Sequence, residues 1–176
     1  MRRSRSGLQS LRSTLEAEHL QSKTLEMLKH HEGVRLKPYR CPARLWTIGV
    51  GHVIDPSHTR VKFEERLSLP IPSGWDRTLT MAEVDEILAA DLQKFEAGVR
   101  RLCPAGLTPN RLDALTSFGF NVGLGNLQRS TIRMRHNRGD YVGAAQAFMM
   151  WTKAAGKELP GLVKRRRDES MLYLAG

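Results

Sequence analysis

The reading of this chain turns on one stretch, His31-Glu32-Gly33-Val34-Arg35-Leu36-Lys37-Pro38-Tyr39-Arg40-Cys41-Pro42-Ala43-Arg44-Leu45-Trp46-Thr47-Ile48-Gly49-Val50-Gly51-His52. Its period changes partway along. Residues 22–32 read as a short helix: Ser22 or Thr24 can cap it, Leu25 and Leu28 share a face, and Gly33 stands where a helix stops. Farther on, Trp46, Ile48 and Val50 alternate with Thr47, Gly49 and Gly51, which is a strand pattern. Arg35 to Cys41 supplies the partner strand, and Pro42-Ala43-Arg44 the turn. A helix end thus runs directly into a β-hairpin. Eight residues separate Glu32 from Cys41, and five separate Cys41 from Thr47.

That spacing has chemical content. A carboxyl at the C-terminal, negative pole of a helix is disfavoured as an anion, so the pKa of Glu32 is expected to rise, as a general acid requires. A hairpin turning through residues 42–46 sets Cys41 and Thr47 almost opposite each other, with β-carbons about 5 Å apart, so that thiol and hydroxyl can share a water. Gly49 and Gly51 fall on the face of Thr47 and leave it bare for a ligand. Taken singly, Glu32 reads as an exposed helix-end glutamate and Cys41 as an inert buried thiol; it is their grouping that argues for a site. A zinc-protease helix would need a second histidine where Arg35 stands, so neither a metal site nor a cofactor is expected.

Working outward, residues 53–79 are irregular, with Asp55-Pro56, Pro70, Pro72, Ser73-Gly74 and an isolated Trp75. They read as a lid or cleft rim, or as a surface insertion. Thr80 and Glu83 form a capping box that opens a long helix, in which Val84, Ile87, Leu88, Leu92, Phe95, Val99 and Leu102 share one face with Asp91 as the polar exception. About twenty residues make roughly 30 Å of helix, enough to bridge two lobes. Thr108-Pro109 opens the next helix, glycines crowd 119–125, and further helices start near Ser130, near Asp140 and after Pro160-Gly161. The class expected is α+β, mainly α. A polar basic extension (1–21) precedes a single domain (22–176), made of a small β-containing lobe (22–79), a bridging helix (80–103) and a helical lobe (104–176).

At 176 residues the chain can bury a real core, and 40% hydrophobic with 26% charged residues is the profile of a soluble globular protein. There is no apolar run near the ~18 residues a membrane span needs, and the basic Met1–Gly7 segment is not followed by the apolar core of a secretory signal. Cys41 and Cys103 are the only cysteines, too few for a disulfide scaffold. A Cys41–Cys103 bridge would need α-carbons within ~7 Å, and Cys103 is expected far from the cleft. The formal charge of +10 favours polyanions: nucleic acid, anionic lipid or bacterial cell wall. Only 6% aromatics and no nucleic-acid-reading motif argue against the first.

The pattern Glu-x8-Cys-x5-Thr, followed by Ile48-Gly49-Val50-Gly51-His52, resembles the active-site signature of bacteriophage-type lysozymes, the muramidase endolysins. The resemblance continues through Ser117-Phe118-Gly119-Phe120-Asn121-Val122-Gly123-Leu124-Gly125, Ser130-Thr131, Gly139-Asp140-Tyr141, Trp151 and Gly161-Leu162-Val163-Lys164-Arg165-Arg166. It covers about Leu25 to Leu174, leaving out residues 1–21 and much of 53–79. It implies the two-lobed lysozyme-like fold. It also implies hydrolysis of the β-1,4 bond between N-acetylmuramic acid and N-acetylglucosamine in peptidoglycan, with lysis of the host cell.

Under that resemblance Glu32 is the general acid. Most members carry Asp where this chain has Cys41, and a minority carry Cys. Cys41, partly as thiolate, either orders the attacking water with Thr47 or forms a glycosyl-thioether intermediate. Val53 on one wall, and Phe120, Asn121 and Thr131 on the other, would face the sugar chain. His52 is expected to be structural, paired with an acid in its lobe, and Trp151 to be core. Lys164 to Arg167 would divide between contact with an anionic envelope surface and tying down the last helix. The partners implied are peptidoglycan and possibly the anionic cell envelope, but no nucleic acid, with the chain acting as a monomer. It would stay in the host cytoplasm until a holin-type pore releases it to the wall. Other readings are a lytic transglycosylase on the same bond, since one acid can run that chemistry, and a catalytically silent wall-binding or phage structural module.

Overall fold

The computed structural model describes residues 25–176; the 1–21 extension and the Ser22 or Thr24 cap lie outside the described residues. The chain separates into two compact units, Leu28–Asp91 and Leu92–Gly176, with residues 25–27 grouped with the second.

In the first unit, α1 (described from residue 25) ends at residue 32. Gly33 takes a positive φ of 74°, which costs glycine little, and its N–H donates to the Lys29 carbonyl at 3.0 Å, satisfying an otherwise open helix end. Leu28 is fully buried and the Lys29 ammonium lies 2.7 Å from the Asp85 carboxylate, which anchor α1. Strands β1 (Arg35–Arg40), β2 (Trp46–Gly49) and β3 (His52–Val53) then form an antiparallel sheet in sequence order. The first turn is a three-residue loop. The Cys41 carbonyl accepts from the Arg44 N–H at 2.8 Å, Arg44 adopts φ 61°, and the Cys41 N–H donates to the Leu45 carbonyl at 3.1 Å. The buried apolar residues of this unit include Leu28, Leu45, Ile48, Val50, Leu79, Val84 and Leu88.

One expectation is corrected here. Gly49 does not bare a cleft floor: it is buried at φ 63°, and a β-carbon on it would meet Val84 Cγ1 at 3.4 Å. The glycine is there for the turn into β3 and for close packing on the long helix. For the segment after β3, where a surface insertion is the favoured reading over a lid or cleft rim, the two short 3-10 turns, Pro56–Arg60 and Glu65–Ser68, are stitched to the hairpin. The Arg40 guanidinium donates to the carbonyls of Arg44, Arg66, Leu67 and Leu69, and the Trp46 indole N–H donates to Leu69 at 3.2 Å. Arg66 donates to Val61, Ala43 and Thr59. Arg40 and Trp46 are cross-strand partners. The segment therefore covers the sheet face opposite Thr47, as a docked surface insertion.

The long helix α2 (Met81–Leu102) carries residues of both units. Its capping box forms as expected: the Thr80 hydroxyl accepts from the Glu83 N–H at 3.2 Å, and the Glu83 carboxylate accepts from the Thr80 N–H at 2.7 Å. In the second unit come α3 (Pro109–Val122), α4 (Leu124–Arg129), α5 (Thr131–Asn137), α6 (Tyr141–Ala147) and α7 (Pro160–Leu174). Side-chain caps by Thr108, Ser130 and Asp140 start three of them, as the sequence predicts. The second unit is not wholly helical: β4 (Lys153–Ala154) and β5 (Lys157–Glu158) form a small hairpin. Its turn residues Ala155 and Gly156 both have positive φ, the primed-turn geometry that two-residue hairpin loops favour. Val99, Leu115, Phe118, Ile132, Phe148 and Tyr173 centre the core. Trp151 packs on it, edge-on to Phe118 with ring centroids 5.3 Å apart.

Candidate active site

Glu32 is the last residue of α1, exposed, with its carboxyl at the helix's negative end. Across the hairpin the register differs from the simple expectation. Thr47 stands opposite Tyr39 rather than Cys41, and Cys41 lies beside Leu45. The three-residue turn, which closes on Cys41 and Leu45 rather than on Cys41 and Thr47, accounts for the difference. Residues two apart on a strand share a face, so Tyr39 and Cys41 still project to the side of Thr47, and Cys41 reaches it on the diagonal.

Burial pushes the Cys41 thiol up, but hydrogen bonding with the Thr47 side chain and with the backbone of Leu45, Ala43 and Cys41 itself outweighs it. The net result lies below the ordinary cysteine value of 9.0. Thr47 is buried, and its hydroxyl also donates to the Leu45 carbonyl at 3.1 Å. A hydroxyl has one proton and two lone pairs. It can accept from the thiol while donating to Leu45, or turn its proton to a thiolate. Cys41 and Thr47 are therefore a pair that can pass a proton and hold a charge.

Tyr39 is a member of this group that the sequence reading missed. Burial raises its phenol's pKa; the Arg35 guanidinium, 4.6 Å over the ring, lowers it, while Cys41 and Glu32 charges raise it. Its signal in the sequence is parity, since it stands two residues before Cys41 on the same strand. Val53 is the β3 partner of Thr47, so Tyr39, Thr47 and Val53 form a row across three strands on one face. His52 lies on β3 next to this row, its Nδ1 2.6 Å from the Asp91 carboxylate and its ring stacked on Trp75. The expected structural pairing with an acid is what the geometry shows.

The other proposed contacts belong to the second unit. Phe120 and Asn121 end α3, both half-buried; Phe120 packs on Phe95 with centroids 5.1 Å apart. Asn121 accepts a hydrogen bond from Arg166. Thr131 is the first residue of α5, half-buried, behind the Ser130 cap. The basic run on α7 divides: Arg165 and Arg166 are buried with Glu169, and Lys164 and Arg167 are exposed. Cys41 and Cys103 are both free thiols, and burial pushes Cys103 up to about 11, so it is unreactive.

The family described as phage lysozyme matches residues 29–169. An endolysin of Acyrthosiphon pisum secondary endosymbiont phage 1 is 35% identical over 159 residues, 88% of this chain and 97% of that protein. Among solved structures, the muramidase domain of SpmX from Asticaccaulis excentricus superposes with a TM-score of 0.71 at 31% identity, covering 86% of this chain and 95% of that one. A variant of the phage P22 lysozyme gives a TM-score of 0.70 at 32% identity, covering 87% and 96%. The match spans both units and includes the helix-end acid, the hairpin thiol and its threonine, and on this combined ground the chain belongs to the phage lysozyme family.

Proposed function

We propose that the protein is a phage endolysin that hydrolyses the β-1,4 bond between N-acetylmuramic acid and N-acetylglucosamine of peptidoglycan, with Glu32 as general acid and Cys41 with Thr47 as the water-activating pair. The observation that carries the assignment is the exposed Glu32 at a helix end that runs directly into the hairpin bearing Cys41 and the buried Thr47. Glu32 gives its proton to the glycosidic oxygen as the bond from that oxygen to the anomeric carbon breaks. Water attacks the anomeric carbon, and its proton passes to the Cys41 thiolate, with the Thr47 hydroxyl holding the water or the sulfur in line. The Glu32 carboxylate then recovers a proton from the thiol through solvent. Val53, Phe120, Asn121 and Thr131 serve as sugar contacts. No cofactor enters this scheme.

The protein acts as a monomer, and its basic surface favours the anionic envelope. It reaches the wall from the host cytoplasm through a holin-type pore. No helix among the described residues is long and apolar enough to cross a membrane.

Digestion of peptidoglycan with product mass spectrometry tests the chemistry. Reducing-end muramic acid is expected from the parent and from Cys41→Asp, and none from Glu32→Gln. Full activity in Glu32→Gln removes the proposed acid. A 1,6-anhydro product reassigns the enzyme as a lytic transglycosylase, a trapped sugar adduct on Cys41 replaces water activation by a thioether intermediate, and full activity in Cys41→Ser removes both roles for the thiol.

A further inference from the structure

We propose that Tyr39 is a further substrate-binding residue of this site: its phenol hydroxyl donates a hydrogen bond to an acceptor oxygen of the N-acetylmuramic acid ring seated over Cys41 and Thr47, and Arg35 is the positioning residue that holds the phenol ring. The inference rests on the reading of Cys41 and Thr47 as the water-activating pair. All four residues belong to the first unit. Tyr39 is paired directly across the sheet with Thr47, which sets their β-carbons about 5 Å apart on one face. Cys41 follows two residues along the chain, on the same side. A tyrosine side chain is longer than a threonine or a cysteine, so its hydroxyl stands farther out from the sheet than the pair does, at the level of a sugar bound over that pair.

The hydroxyl is available. Among the described residues nothing hydrogen-bonds the phenol oxygen, and it is not one of the polar atoms sealed from solvent. Tyr173 is the contrast: it is fully buried, and its hydroxyl lies 2.6 Å from His136 Nδ1. Tyr39 is half-buried, yet its ring is held, because the Arg35 guanidinium stacks 4.6 Å from the ring centroid. Arg35 is exposed and makes no ion pair among the described residues, so the ring is what its charge meets. Burial lifts the phenol above its ordinary value of 10.0 against the opposing pull of Arg35, whereas Cys41 titrates below 9.0. Tyr39 therefore keeps its proton, and remains a donor, wherever the thiol is changing charge. A muramic acid ring offers oxygens that accept and cannot donate: the ring oxygen, the lactyl ether and the N-acetyl carbonyl. A donor beside the pair that handles the water seats the anomeric carbon over that water, and a ring already restrained by Arg35 loses less freedom in doing so.

The test measures kcat and KM on soluble peptidoglycan fragments for Tyr39→Phe, Arg35→Gln, Arg35→Lys and the double variant of Tyr39→Phe with Arg35→Gln. Phenylalanine keeps the ring under Arg35 and removes a hydroxyl that has no protein partner, so Tm should stay parental. KM is expected to rise about tenfold with kcat little changed, the ~1.4 kcal/mol of one hydrogen bond made equally in the ground and transition states. Arg35→Gln should raise KM about threefold in the parent and not at all in Tyr39→Phe, while Arg35→Lys, which keeps a cation over the ring, stays near the parent. A parental KM in Tyr39→Phe overturns the contact. A rise from Arg35→Gln that is the same with and without the phenol hydroxyl removes the positioning role of Arg35. The pH curve of Cys41 alkylation by iodoacetamide is expected to stay parental in Tyr39→Phe; a shifted curve would mean that the phenol acts on the sulfur rather than on the sugar, and overturns the proposal. Failure of the underlying reading looks different: Cys41→Ser and Thr47→Val would then cleave as the parent does, and the proposal falls with it.

Discussion

Cys41 concentrates the chemistry of this molecule at one atom. An ordinary thiol is mostly protonated near neutral pH and a poor acceptor of a water proton, but hydrogen bonding at the turn shifts it toward the thiolate. The sign of the pH dependence follows. With the thiolate as the proposed base, activity is expected to climb as pH rises through the Cys41 pKa, on a limb that lies below 9.0. Thr47→Val removes one donor to sulfur, raises that pKa and moves the limb to higher pH. One hydrogen bond of about 1.4 kcal/mol corresponds to about one pH unit and about a tenfold loss of rate below the limb. Cys41→Asp moves the limb toward the carboxylate range, near ~4. The rate of iodoacetamide alkylation against pH reads the same pKa independently, since Cys103 is buried with its own pKa near about 11. An unmoved rate limb and alkylation curve in Thr47→Val would remove the threonine from this role.

The hairpin is the element that makes the site, and Arg40 is what holds the hairpin to its surroundings. Its guanidinium serves four backbone carbonyls from Arg44 to Leu69 while lying 4.1 Å over the Trp46 ring. Arg40→Leu leaves those carbonyls without their donor and is expected to cost about 2–3 kcal/mol, measured by chemical denaturation. Hydrogen exchange should quicken between residues 61 and 70, while Cys41, on the opposite face, keeps its alkylation behaviour. Exchange that stays slow across 61–70 would mean the segment is held by something else. The local signals in the sequence were legible because they act locally: capping residues Thr80, Thr108, Ser130 and Asp140 each satisfy an N–H within three residues. Register was not legible, because it is set by the length of the turn, three residues rather than five, and by an irregularity between Arg35 and Tyr39 that shifts the pairing beyond it, neither of which leaves a trace in the alternation of apolar residues. The burial of Arg165 and Arg166 was half-legible. A run of four basic residues on a helix must point both ways, but which two turn inward depends on Ser117, Asn121 and Glu169, which lie far away in sequence.

For the whole molecule, stability and pH are linked through a histidine that takes no part in the chemistry. His136 is fully buried in the helical unit, with Nδ1 2.6 Å from the Tyr173 hydroxyl and its ring edge-on to Tyr141. Burial lowers its pKa below the ordinary 6.5, and the positive charge of Arg111 pushes the same way against backbone bonds at Ala105 and Cys103. The unfolded chain therefore binds a proton at His136 more readily than the folded one. Above pH 6.5 neither state is protonated there, and the folded state bears no penalty. As pH falls below 6.5 the unfolded state gains the proton first, and stability declines until the folded pKa is also passed. Each tenfold difference in proton affinity between the two states is worth about 1.4 kcal/mol. Denaturant titrations between pH 7.5 and 5 are expected to show this fall in the parent, while His136→Asn starts less stable and loses the His136 part of the slope. Comparing the two variants cancels every other titrating group, Glu169 included. Parallel pH curves for parent and variant would show that His136 titrates alike in both states, and its burial would then carry no cost to stability in acid.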